Sequence, residues 1–159
     1  NGMTLPNIIV DVTPYNIDPG KRSGIYMIQQ IIEGSLSLLD ICVRNGIECN
    51  FIYPGSGTMI TESVASPADV ERISCELLKN MEGPCLFTLE KEENTKSADV
   101  HIVYTLSVSD ELAAAADSST MKGNNVKVII PEQLYNEEDS RVPEMWLLRE
   151  DCSLYRSVV

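Results

Sequence analysis

The chain is poor in the residues that most often do chemistry. Its 159 positions include one histidine, one tryptophan and two phenylalanines. With His101 as the sole imidazole, zinc sites built on histidine and cysteine clusters have almost nothing to draw on. His101 stands mid-strand beside Val100 and Ile102 with no nucleophile nearby in sequence, so it reads as a packed or surface side chain rather than a base. Positive charge is also scarce: 12 Lys and Arg face 24 Asp and Glu, a formal net charge of −12. Such a surface repels phosphate backbones and anionic headgroups, so neither nucleic acid nor direct membrane contact is expected. It suits solubility and attraction to a basic partner surface.

Long apolar runs and disulfide patterns are missing too. The longest apolar stretch, around residues 25–43, is interrupted by Gln29, Gln30, Glu33 and Asp40, too polar for a membrane span, and no signal peptide is visible. The five cysteines are odd in number and none are spaced CxxC, which argues against a disulfide framework. Cys42, Cys49 and Cys75 lie inside apolar segments, where a thiol acts as a small hydrophobe. Cys85 follows Gly83-Pro84 with no cation beside it to activate the thiol. A reducing, cytoplasmic compartment is the expectation.

What is present reads as one globular domain over residues 1–159, with 43% hydrophobic residues to build a core. The chain enters a strand soon after Asn1-Gly2, so a fragment of a longer protein is expected, with any membrane anchor in the remainder. Asn7 to Val12 is a continuous apolar run typical of a buried parallel strand. A loop rich in Pro14, Pro19 and Gly20 follows, then a long helix from Gly24 to Asn45 whose core stripe is Ile25, Ile28, Ile32, Leu36, Leu39 and Val43, widened by Met27, Ile31, Leu38 and Cys42 so that most of its circumference is apolar. Asn45-Gly46 closes it. Residues 48–53 form a strand, Pro54 to Gly57 a turn and residues 58–64 a returning edge strand. Gly55-Ser-Gly57 lacks the GxxxxGK[ST] pattern of a phosphate loop and reads as the hairpin turn.

Ser66-Pro67 opens a second helix with Val70, Ile73, Leu77 and Met81 on its buried side. A short strand is expected over 85–89 and an acidic loop over Glu90 to Glu93. A third core strand spans 99–105, a helix runs from Ser109 to Lys122, and a strand covers 125–130. Met145-Trp-Leu-Leu148 packs back as a strand or short helix. Alternating strands and helices predict an α/β fold, Rossmann-like, with a mostly parallel sheet covered by helices on both faces. In such sheets ligands bind beyond the carboxyl ends of the strands.

Asp11 ends the first strand and is followed by Val12-Thr13-Pro14-Tyr15. Here the chain resembles von Willebrand factor A domains, whose metal-ion-dependent adhesion site begins D-x-S-x-S ahead of a long helix. The resemblance implies that Asp11 and Thr13 are the remaining ligands for Mg²⁺, a cation that prefers oxygen. Tyr15 puts a phenol where a small hydroxyl belongs. Leu106-Ser107-Val108-Ser109 stands where a later aspartate is expected, with Asp110 only at a helix start. The ligating threonine has no counterpart beyond Thr58 or Thr88. The site is therefore expected to be degenerate, with Mg²⁺ the one ion its oxygens suit and no resident cofactor. Asp11 otherwise reads as a carboxylate capping local backbone amides.

Within that superfamily, residues 7–130 are similar to the C-terminal domain of bacterial proteins encoded beside MoxR-type AAA+ ATPases. The similarity rests on the D-x-[ST] strand end, the Asn45-Gly-Ile-Glu48 turn, Ser66-Pro-Ala-Asp-Val-Glu-Arg-Ile73 and the paired strands near 100–105 and 126–130. Residues 81–99 are shorter than that family's pattern. The resemblance implies membrane helices upstream and an AAA+ ATPase partner in protein assembly. The expected function is non-catalytic protein binding through Asp11, Thr13, Tyr15, Ser107 and Asp110. An α/β enzyme or nucleotide-binding domain using the same crevice is the alternative.

Overall fold

The computed structural model describes residues 5–12, 22–55, 59–79, 99–136 and 142–157. Asn7–Asp11 forms β1, and all five residues are buried. It pairs in parallel with β2, Cys49–Pro54, on one side and with β4, Val100–Thr105, on the other. β3, Met59–Val64, folds back antiparallel on β2 as the expected hairpin edge. β5, Asn125–Pro131, and β6, Met145–Leu148, extend the parallel set. β7, Leu154–Arg156, closes the far edge antiparallel. The sheet order is β3-β2-β1-β4-β5-β6-β7, a Rossmann-like α/β arrangement with antiparallel strands only at its edges.

Helices cover both faces. α1, Arg22–Arg44, and α2, Pro67–Lys79, lie on the face formed by Ile8, Val10, Phe51, Tyr53, Tyr104 and Leu148. α3, Asp110–Met121, packs Leu112, Ala113 and Ala116 against Ile9, Ile52, Val103, Val128 and Leu147 on the other face. Alternation along β1, β2 and β4 assigns the two sets, since successive side chains point to opposite faces. No helix among the described residues is long and apolar enough to cross a membrane.

Local chemistry explains the helix ends. Gly46 takes φ +75°, and the amides of Gly46 and Ile47 donate to the carbonyls of Val43 and Cys42 at 3.0 and 2.8 Å, closing α1 in the left-handed manner expected of Asn-Gly. The hydroxyl of Ser66 accepts from Asp69 N at 3.3 Å at the start of α2. Ser109 does the same for Leu112 N at 3.0 Å at the start of α3.

The buried side of α1 keeps Ile31, Ile32, Leu39 and Val43 of the expected stripe and adds Gln30 and Ser35, while Ile25 lies outside the described side chains. Ile31, Ser35 and Leu39 are fully buried, with Gln30, Ile32 and Val43 beside them, while Ile28 and Leu36 are only partly covered. The helix presents its small residues, Gly34 and Ser35, to the sheet. A Cβ on Gly34 would stand 2.9 Å from a methyl of Leu148 and 3.3 Å from the Tyr104 ring, so the closest approach of helix and strands falls there. Hydrophobic spacing alone ranks Leu36 above Gly34 and misses this. Cys75, expected inside an apolar segment, is exposed, whereas Cys49 is fully buried. Burial and the neighbouring Cys42 thiol push the Cys49 thiol up to about 12. Ser56, Gly57, Thr58, Met81, Cys85, Thr88, the strand expected over 85–89 and the acidic stretch 90–93 lie outside the described residues.

Two polar arrangements tie the frame together. On the α3 side, Ser63 Oγ donates to Asn50 Oδ1 at 3.1 Å, Asn50 Nδ2 donates to Asn7 Oδ1 at 3.1 Å, and Asn7 Nδ2 lies 3.3 Å from His101 Nδ1. This row crosses four neighbouring strands, and Asn7, Asn50 and His101 are buried. At the sheet edge, Glu62 accepts from Tyr53 Oη at 2.7 Å and from both terminal nitrogens of Arg72 at 3.2 and 2.6 Å, joining β2, β3 and α2.

Leu39→Ala should destabilise the fold by ~2–5 kcal/mol through lost burial and a cavity. Leu36→Ala should cost ~1–2 kcal/mol because its side chain keeps contact with water; equal losses in denaturant melts would contradict this placement of the helix. The edge cluster sets a pH dependence. The Arg72 bonds hold the Glu62 carboxyl below the usual carboxylate range despite opposing desolvation. A folded-state pKa below the unfolded one gives stability that is present above the unfolded value, ~4.3, and lost as pH falls through the folded value. Melts between pH 7 and 3 should therefore show a shallower acid decline in Glu62→Gln than in the natural sequence.

Candidate functional site

Chain order reverses between β1 and β4: from β1 the sequence moves outward to β2 and β3, then returns to β4 on its other side. At such a switch point the connections leave in opposite directions and open a crevice at the strand ends. Asp11 and Thr105 are the facing residues there, paired across β1 and β4. Both are buried, Asp11 at 6% exposure and Thr105 at 0%, and both lie on the α3 side of the sheet.

Beyond Thr105 the chain turns through Leu106 to Val108. Leu106 drops into the α1 core and Val108 into the α3 core, which holds Ser107 over the strand end. Thr105 Oγ1 donates to the Ser107 carbonyl at 3.0 Å. The Ser107 hydroxyl oxygen is buried and has no hydrogen-bond partner among the described residues. A stranded hydroxyl of this kind carries an unmet desolvation cost of ~1–3 kcal/mol. Ser109 serves α3 as its N-cap, and Asp110 is exposed in the first helical turn.

The structure thus brings Asp11 and Ser107 to one end of the sheet and sets Asp110 at the adjoining helix start. Thr13 and Tyr15 lie outside the described residues. Thr105 is not among the expected site residues, although it directly follows Tyr104 at a strand end where the sequence places ligands. Its signal is positional: a hydroxyl residue ending the strand that pairs with the Asp11 strand. The oxygen-only set of Asp11, Thr105 and Ser107 matches the chemistry of Mg²⁺ rather than of softer metals. It contains one carboxylate, and among the described residues no group of three or more His, Cys, Asp and Glu could hold a metal ion. These described residues do not fit a tight divalent site.

The chain matches no protein-family model, and a comparison with curated proteins finds no match.

The two neighbouring serines should respond oppositely to truncation. Ser109→Ala removes a helix cap and should cost ~0.5–2 kcal/mol. Ser107→Ala removes an unpaired buried hydroxyl and should leave the melting temperature unchanged or raise it; a clear loss would mean that the hydroxyl has a partner in solution.

Proposed function

We propose that this domain is a non-catalytic protein-interaction module of the von Willebrand A type, binding a protein partner at the strand ends around Asp11. The observation that carries the reading is the register of Asp11 with Thr105 at the β1–β4 switch point, near the Ser107 hydroxyl, which has no partner among the described residues. A recessed carboxylate beside a hydroxyl that has no partner among the described residues offers oxygens to donors on a partner, whereas acid–base or nucleophilic catalysis calls for a second reactive group positioned against them. The sheet order with an antiparallel β3 edge accords with the resemblance of the Asp11-x-Thr13 segment.

In this reading the metal site is degenerate, Thr13, Tyr15 and Asp110 flank the contact, and the partner is an AAA+ ATPase of the MoxR type in the cytoplasm. The test has two parts. Calorimetric titration with Mg²⁺ and Mn²⁺ should give no binding tighter than ~1 mM; micromolar binding lost in Asp11→Ala would overturn the degenerate assignment. A MoxR-type ATPase from the same organism should bind the natural sequence and bind Asp11→Ala at least ~tenfold more weakly, about 1.4 kcal/mol. Undiminished binding would remove the strand-end site from the interaction.

A second reading has one observation in its favour. The order β3-β2-β1-β4-β5-β6 is also that of dinucleotide-binding sheets, whose ligand lies over the same switch point. Stabilisation of the fold by a nucleotide in a thermal-shift screen would favour it.

A further inference from the structure

A cavity of about 610 Å³ opens between the first half of α1 and the chain that follows β5 and β6. Its helical wall is a strip of Tyr26, Gln29, Gln30 and Glu33, spaced i, i+3, i+4 and i+7 on one face, with Met27 beside them. The opposite wall is Gln133, in the 3₁₀ turn Glu132–Leu134, and Glu150, in the turn between β6 and β7. Gln133 Nε2 donates to Glu150 Oε1 at 3.4 Å. The buried Gln30 fixes the spacing of the walls, because its amide donates to the Leu148 carbonyl of β6 at 3.0 Å. The cleft is therefore built into the packing of α1 on the sheet.

Two carboxylates and three side-chain amides line it together with Tyr26 and Met27, and no cation does among the described lining residues. The neighbouring Arg149 is committed elsewhere, with its guanidinium 4.4 Å over the Tyr155 ring and 4.0 Å from Glu132. Tyr26 is 67% exposed on the same strip as Glu33. Tyr26 and Glu33 stand two turns apart, about 10 Å along the helix, so a cationic segment crossing the groove meets the aromatic face and the carboxylates in turn. The planar fork of a guanidinium matches carboxylate and amide oxygens better than a point charge does. The volume lies in the range that accepts a small ligand, enough for one long side chain with a short length of backbone. The overall charge of −12 draws such a segment in at long range.

We propose that this groove docks a partner protein by an extended, arginine-bearing segment, with a guanidinium held by the carboxylates of Glu33 and Glu150 and the segment running on past Tyr26. The surface is separate from the strand-end site at Asp11 and Ser107, and the two are tested independently.

The probe is a dye-labelled pentapeptide, acetyl-Gly-Arg-Leu-Arg-Gly-amide, followed by fluorescence anisotropy, with its Glu-for-Arg counterpart as comparison. The arginine peptide should bind saturably with a dissociation constant of about 10–100 μM and weaken as salt rises. Glu33→Lys with Glu150→Lys should weaken it at least ~tenfold, and the uncharged pair Glu33→Gln with Glu150→Gln should act in the same direction. Tyr26→Ala should weaken it ~threefold or more. Glu71→Lys with Asp117→Lys, exposed on α2 and α3, makes the same change in net charge and should alter binding less than ~twofold. Asp11→Ala should leave it unchanged. All these positions except Asp11 are exposed, and circular-dichroism melts verify the fold of each variant. Equal weakening by the control pair would reduce the effect to diffuse charge and overturn the proposal. So would equal binding of the glutamate peptide, or no saturable binding up to ~1 mM.

Discussion

β1 is paired along both edges and covered on both faces, and none of its five residues reaches water appreciably. A strand so enclosed has no freedom to shift without disturbing two neighbours and two cores at once. Its carboxyl end is therefore a fixed point. Asp11 is a charged residue type placed there at 6% exposure, where a carboxylate is tolerated only with partners. The same enclosure sets the direction of the chain on either side, outward to β2 through α1 and back to β4 after α2, which opens the crevice that Ser107 overhangs.

α1 carries the second organising constraint. The helix spans about 34 Å at 1.5 Å per residue and touches β1, β2, β4, β5 and β6, so it crosses the sheet obliquely. Gly34 and Ser35 let it sit close over Tyr104 and Leu148. That approach leaves its earlier turns over the far strands, where their polar strip forms a wall of the groove. Its last turns reach Cys49 on β2. One small residue at the crossing thus determines what both ends of the helix face.

The class of fold was legible because its signals are local and redundant. A run such as Ile8-Ile9-Val10, a cap such as Ser66-Pro67 and a stop such as Asn45-Gly46 each act within a few residues, and the structure has an element boundary at each. Ile31, Ile32, Leu39 and Val43 of the expected α1 stripe are buried, but Gly34 and Ser35 were missed because periodicity weighs side-chain size, while a close helix–sheet crossing selects for its absence. β7 escaped notice because three residues carry no pattern of their own and are recruited by pairing with β6. At the strand ends, Asp11 was visible as a motif fragment, but Thr105 matters only through its register with Asp11, which no local window contains. The groove joins residues more than a hundred positions apart, Glu33 and Glu150, and spacing says nothing about such a pair.

The row formed by Ser63, Asn50, Asn7 and His101 has a consequence for how the sheet assembles. Alternating burial guards a strand against slipping by one position, since that would swap its two faces. It is blind to a slip of two, which returns each side chain to its own face. In the amide row a two-residue slip of β2 against β1 moves Asn50 away from Asn7 and leaves polar groups stranded in hydrocarbon, each at a cost of ~1–3 kcal/mol. The row works like the finer scale of a vernier: hydrophobic alternation rejects odd misalignments, and the amides reject the even ones.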